Sequence, residues 1–106
     1  NVSTFGSDQD KKDLDSIFDL LKTTFVDKGI PVIIGEFGAI DKNNESDRAA
    51  LYEYYVSSAK QRGIKCLYWD NGFFAADSKT DSYAIFNRKT LSWNQTLLSA
   101  LMKGAN

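Results

Sequence analysis

The chain contains no histidine and a single cysteine, Cys66, among 106 residues. Those absences exclude a great deal. A Cys/His zinc site has no ligands here. Neither a Ser-His-Asp triad nor a Cys-His pair can be built within the chain. A lone cysteine makes no internal disulfide. Any acid–base chemistry must therefore come from carboxylates, lysine or tyrosine, and no metal or cofactor is expected. Long apolar runs are missing as well: nothing approaches the roughly 20 residues of a membrane span, so no membrane partner is expected. Charge of one sign is not in excess, with 13 basic and 14 acidic residues, which removes the electrostatic basis for nucleic-acid binding. The polar opening NVSTFGSDQDKK has no signal-peptide core.

What the sequence does contain is patterned. From about Asp10 to Asp27, Leu14, Ile17, Phe18, Leu21, Phe25 and Val26 recur at helical spacing. Ser7, Asp8 and Asp10 are candidate caps, and Gly29 is a stop. Ile30 to Gly38 then reads as a short buried strand, apolar and β-branched and bounded by glycine. A second helix is expected over Ser46–Arg62, with Ala49, Tyr52, Val56 and Ala59 on one face and Gly63 ending it. Ile64–Trp69 forms a second strand, with Cys66 a small hydrophobe on its helix-facing side. A polar loop over Asn71–Ser82 and a small extended piece over Tyr83–Phe86 follow. The last helix is expected over Ser92–Lys103, with Trp93, Leu97, Leu98 and Leu101 inward and Gly104 beyond its end.

The order helix, strand, helix, strand, helix, in a single segment of 106 residues, predicts an α/β fold with parallel strands joined by a crossover helix. Two strands cannot bury their own faces, and their open edges would be templates for association. The chain thus reads as part of a larger structure. The (β/α)₈ TIM barrel, at about 250 residues, is the natural frame, with this segment supplying its last two βα units and the helix before them.

Strand periodicity groups Val32, Ile34 and Glu36 on one face and Ile33, Gly35 and Phe37 on the other. Glu36 closes an otherwise apolar strand between two glycines, at the end where barrel enzymes carry catalytic groups. The spacing is equally compatible with a carboxylate that caps the next helix or pairs with a lysine. In the second strand Lys65, Leu67, Trp69 and Asn71 share a face. Trp69 would lie near Glu36 if the strands pair, as a floor for a sugar ring or, on spacing alone, as a core residue filling the top of a barrel.

Pro31-Val32-Ile33-Ile34-Gly35-Glu36-Phe37-Gly38 is similar to the strand-seven nucleophile motif of family 5 glycoside hydrolases, and Leu67-Tyr68-Trp69-Asp70-Asn71-Gly72 resembles the strand-eight motif of the same family. The tail Ala84–Trp93 resembles the segment leading into its last helix. The likeness covers nearly the whole chain in the right order and is nearest to bacterial and rumen endoglucanases. It implies a C-terminal portion of a barrel and a retaining glycosidase acting on internal β-1,4 bonds of cellulose or related β-glucans. In such enzymes one carboxylate attacks the anomeric carbon, while a second, about 5–5.5 Å away, protonates the leaving oxygen and then activates water.

By that resemblance Glu36 is the nucleophile, Trp69 lines the subsite of the attacked sugar, and Asn71 helps shape it. The family's acid/base glutamate lies at the end of strand four, outside this segment. Asn44-Glu45 has the right dipeptide but enters a helix with no strand before it, so Glu45 is read as a favourable charge at a helix N-terminus. Asp70 is read as structural. The expected partners are a β-glucan and the N-terminal remainder of the barrel, and the segment alone is expected to be inactive. A non-catalytic carbohydrate-binding or self-assembling module is the alternative, and a generic α/β domain with structural Glu36 and Trp69 is a third reading. A polymeric substrate implies an extracellular, secreted enzyme. Asn1-Val2-Ser3, Asn44-Glu45-Ser46 and Asn94-Gln95-Thr96 fit the N-glycosylation pattern.

Overall fold

The computed structural model describes residues 2–74 and 80–106. Part of the expected Asn71–Ser82 loop, and the first residue of the Asn1 sequon, lie outside the described residues. Helix α1 spans Asp8–Thr24. Ser7 caps it through a reciprocal box: its hydroxyl accepts from the Asp10 amide, and the Asp10 carboxylate accepts from the Ser7 amide. Such a cap contributes about 1 kcal/mol. The bonds from Ser7 and Gly6 hold the exposed Asp10 carboxyl below its ordinary pKa. The expected helix to Asp27 is shorter. The chain tightens into a 3₁₀ turn over Val26–Lys28, closed by Gly29 at φ 77°.

Strand β1 (Ile33–Phe37) leads into helix α2 (Glu45–Gln61), and strand β2 (Lys65–Tyr68) follows. Gly63, at φ 75°, turns the chain between α2 and β2. The two strands pair in parallel, giving a βαβ unit. A two-stranded antiparallel hairpin, β3 (Phe86–Asn87) with β4 (Ser92–Trp93), then leads to helix α3 (Gln95–Ala105). The α/β class and the predicted element order hold, with the 3₁₀ turn and hairpin added.

The helices cover one side of the β1–β2 sheet. Phe37, Tyr52, Ile85, Leu97 and Ala100 form one buried cluster, with Ile34, Cys66 and Tyr68 packed against it. Phe18, Ala59 and Ile64 form the other, with Val32 against it. The Phe37 ring stacks on Tyr55 at 4.4 Å between centroids and 2° between planes. Cys66 lies on the helix-facing side, as expected, but is only half-buried, packed against both clusters, and burial pushes its thiol pKa up.

Four expectations need correction. Helix α2 does not bury a single stripe: Arg48, Tyr52, Ser58 and Ala59 are its buried residues, because α1, the sheet and α3 all pack on it. Ile17 on α1 is exposed. Trp93 does not face inward from the last helix. It lies in β4, half exposed, with its ring 4.9 Å from Phe86. The helix begins later because Asn94 caps it, accepting from the Leu97 amide. Finally, Gly104 is not beyond the helix but inside it, buried against α2. A Cβ there would lie 2.6 Å from the Glu53 carbonyl oxygen, so only glycine permits this approach.

Candidate active site

The end of β1 holds the feature on which the site depends. Ile34 pairs with Cys66, and Phe37 with Tyr68. Gly35 and Glu36 therefore stand opposite Leu67 alone, two residues against one, which is a β-bulge. The bulge breaks the strict alternation expected from the sequence. Val32, Ile34 and Phe37 all pack toward the helices, so Phe37 is not on the face of Ile33, and Glu36 is not on the face of Val32 and Ile34. Without the extra residue, Glu36 would be driven into the apolar layer, where an unpaired carboxylate is costly. With it, Glu36 is exposed beside the buried Phe37.

Across the pair, the alternation expected for β2 holds. Cys66 and Tyr68 turn toward the helices, while Lys65 and Leu67 are exposed. Trp69 is 44 % exposed, and its amide donates to the Phe37 carbonyl at 2.8 Å. That bond sets the Trp69 backbone beside the residue after Glu36. The open face of the sheet thus carries Ile33, Glu36, Leu67 and Trp69. Among the described residues, no hydrogen bond or ion pair engages the Glu36 carboxylate.

Asn71 is engaged within its own loop. Its amide nitrogen donates to the Asp81 carbonyl, and its oxygen accepts from the Phe73 and Tyr83 amides. Asp70 accepts from the Gly72, Ile85 and Phe86 amides and lies 3.7 Å from Arg88, the structural part expected of it. Glu45 opens α2, as the helix-entry reading requires, and accepts from the Asn94 side chain at 2.7 Å. The Asn94 amide therefore both caps α3 and holds Glu45, and the Asn44 amide donates to the Ser3 carbonyl.

Beneath the strand ends lies a network that the sequence pattern did not reveal. Arg48 is 3 % exposed. It donates to the Tyr52 hydroxyl at 3.2 Å, to the Tyr68 hydroxyl at 3.5 Å and to the Tyr83 carbonyl at 3.4 Å. Asp41 lies 3.5 Å from it. Burial alone would favour loss of the Arg48 proton, but the two phenols outweigh it and leave the pKa raised. Burial, and then the bond from Tyr52, push the Tyr68 phenol far above its ordinary value, so it remains a donor. The available signal was Arg48 four residues before Tyr52 on a helix already expected to pack inward.

Among the described residues, no group of acidic, cysteine or histidine side chains could hold a metal, and no helix is long and apolar enough to cross a membrane.

A parallel strand pair covered on one face only, exposing at its C-terminal end a tryptophan and a carboxylate that no described residue engages, is the arrangement on which comparison with known proteins bears. The model of the cellulase family, glycosyl hydrolase family 5, matches residues 2–75. The chain belongs to this family. Endoglucanase A of Clostridium longisporum is 48 % identical over 105 residues, spanning 98 % of the chain and 20 % of that protein. Cellulase/esterase CelE of Acetivibrio thermocellus is 50 % identical over 106 residues, 98 % of the chain and 13 % of its own length. Among solved structures, a broad-specificity endoglucanase from Clostridium cellulovorans superposes with a TM-score of 0.90 at 42 % identity, covering 99 % of this chain and 31 % of that one. A family 5 lichenase from Caldicellulosiruptor sp. F32, in complex with cellotetraose, gives a TM-score of 0.92 at 43 % identity over 100 % of this chain and 29 % of its own. The chain therefore spans less than a third of these relatives, and its place in the cellulase family is that of a segment.

Proposed function

We propose that this segment supplies the nucleophile half of a retaining endo-β-1,4-glucanase, acting outside the cell on cellulose or related β-glucans. The observation that carries the proposal is the bulge at Gly35–Glu36, which leaves an exposed carboxylate, unbonded among the described residues, on the open face one strand from Trp69. In this reading the sheet is two adjacent strands of a (β/α)₈ barrel, and the open face looks toward its axis. Glu36 attacks the anomeric carbon and forms a glycosyl-enzyme ester. Trp69 offers its face to the sugar being attacked, and Asn71 holds the loop that borders that sugar. The remainder of the barrel contributes the second carboxyl group, which protonates the leaving oxygen and then activates water. The relatives' names, endoglucanase and lichenase, support a β-glucan substrate. A polymer of that kind is met outside the cell, which favours secretion.

The segment by itself lacks the general acid, and removal of such a group costs on the order of 10²–10⁴-fold. The isolated chain is therefore expected to be inactive on glucan. The decisive test uses an assembled barrel in which this chain replaces the matching segment of the Clostridium cellulovorans enzyme. An activated 2-deoxy-2-fluoro cellobioside should label it, and mass spectrometry of the digest should find the sugar on the peptide containing Glu36. A label on another residue, or full activity after Glu36→Gln, would overturn the assignment.

A further inference from the structure

We infer that Arg48, Tyr52 and Tyr68 act as a positioning unit for the reacting carboxylate, holding the two strand ends at one fixed separation. The inference rests on Glu36 being the nucleophile, as proposed above. The Tyr52 hydroxyl contacts both backbone groups of Ala39, accepting from the amide at 3.2 Å and lying 3.2 Å from the carbonyl oxygen. Ala39 ends the short stretch Phe37-Gly38-Ala39 that follows Glu36. On the other side, the same hydroxyl is 2.9 Å from that of Tyr68, the residue immediately before Trp69. Tyr52, with no exposed surface, thus spans the gap between the chain leaving Glu36 and the chain entering Trp69.

The proton count gives the network a direction. Arg48 has donors only, and it donates to Tyr52. The Ala39 amide also donates to Tyr52. The single Tyr52 proton must then point onward, to the Ala39 carbonyl or to the Tyr68 oxygen. Tyr68 in turn donates to the Tyr83 carbonyl. A fixed charge at the base therefore orients both phenols, and no buried side-chain polar atom among the described residues lacks a partner. A network in which every buried side-chain polar atom has a partner is rigid.

Stability alone does not call for this arrangement. Buried charged groups are often replaced by apolar side chains of like size at no loss of stability, and the surrounding layer is already aromatic and aliphatic. What the polar network adds to the backbone bond between Trp69 and Phe37 is a fixed position of Ala39 against Tyr68. Displacement of a reacting group by about 1 Å is enough to cost on the order of a hundredfold in rate.

The test uses the assembled barrel described above. Tyr52→Phe removes the shared hydroxyl and keeps the ring. The expected result is a fall in kcat of about tenfold, with the rate of labelling by the fluoro sugar falling in parallel and KM staying within about twofold. Ser58→Ala, on the far side of α2 in the Asp15 and Arg62 cluster, serves as the stability control. It should lower Tm and leave kcat unchanged. If Tyr52→Phe does not fold, Tyr68→Phe decides, since it breaks the link to β2 and leaves the Ala39 contacts in place. A kcat within about twofold of the parent, or a fall no greater than that of the Ser58→Ala control, would reduce the network to a structural role while leaving Glu36 as nucleophile. Survival of activity in Glu36→Gln would remove both readings together.

Discussion

The two faces of the β1–β2 sheet are built from the same nine or so residues and meet opposite fates. Toward the helices, Phe37 is buried, and Ile34, Cys66 and Tyr68 are packed against its cluster. Away from them, Ile33 is 63 % exposed and Leu67 58 %, flanking Glu36 and Trp69. Isoleucine and leucine are not residues that a strand spends on solvent when it has a choice. The pattern is that of strands covered on both faces, with only one cover supplied by this chain. One face is covered by helices, and the other is an exposed surface that, on the proposed function, meets the rest of a barrel.

This comparison predicts a double dissociation. On the open face, Glu36→Gln should leave urea unfolding of the isolated chain unchanged, because among the described residues nothing bonds to the carboxylate. In the assembled barrel the same change should lower kcat by on the order of 10³-fold or more, the scale of losing a nucleophile. An unfolding midpoint that shifts clearly with Glu36→Gln would mean that the carboxylate is held in the fold after all.

The helix-facing side should behave in the opposite way. Phe37→Ala removes a ring stacked on Tyr55 and edge-on to Tyr52 and Tyr68. It should destabilise the isolated chain by about 3 kcal/mol. Leu67→Ala should cost it less than about 0.5 kcal/mol, as at an ordinary surface site. In the assembled barrel the Leu67 change should grow toward the value of a core leucine. Equal costs for Leu67→Ala in both settings would show that the open face stays open.

Gly104 measures how tightly the covered side is closed. Gly104→Ala adds one methyl group against the Glu53 carbonyl and the Val56 side chain. Helix propensity favours alanine by about 1 kcal/mol, yet backbone atoms at this distance cannot move aside without shifting a helix. The expected outcome is a net loss of about 1–2 kcal/mol, read from unfolding curves. A net gain would mean that α3 rides loosely on α2.

The sequence carried some of this comparison and not the rest, for identifiable reasons. The cap at Ser7, the stops at Gly29 and Gly63 and the alternation of Lys65–Tyr68 are local, and local rules found them. The position of Glu36 at a strand end was legible, but its face was not. A period of two carried from Val32 and Ile34 assigns the wrong side, and the bulge that corrects it exists only because β2 supplies one residue where β1 has two. Arg48 and Gly104 were missed for a related reason. A buried arginine violates local preference, and a glycine in the last turn of a helix reads locally as a stop; only the packing of other elements, Tyr68 and Tyr83 in one case and α2 in the other, explains them. The resemblance to the cellulase family supplied roles for Glu36, Trp69 and Asn71 that spacing left open.

The smallest effect concerns the seam between α1 and α2, where the covered side meets water. Asp15 accepts from Tyr54 and Ser58, with Arg62 at 3.6 Å. Desolvation alone would raise its pKa, but these bonds and the Arg62 charge outweigh it and leave the carboxyl below its ordinary value. A carboxyl with a lowered folded-state pKa stabilises the fold fully above its unfolded value, and that stability is lost as pH falls through the lowered one. Asp15→Asn should therefore cost about 0.5 kcal/mol near neutral pH, a value kept small by solvent screening. The gap between variant and parent should close as pH drops below the ordinary carboxylate range. Urea unfolding at several pH values reads this directly. A gap that stays constant down to the acid limb would mean that Asp15 acts through its hydrogen bonds alone, with its charge contributing nothing to the seam.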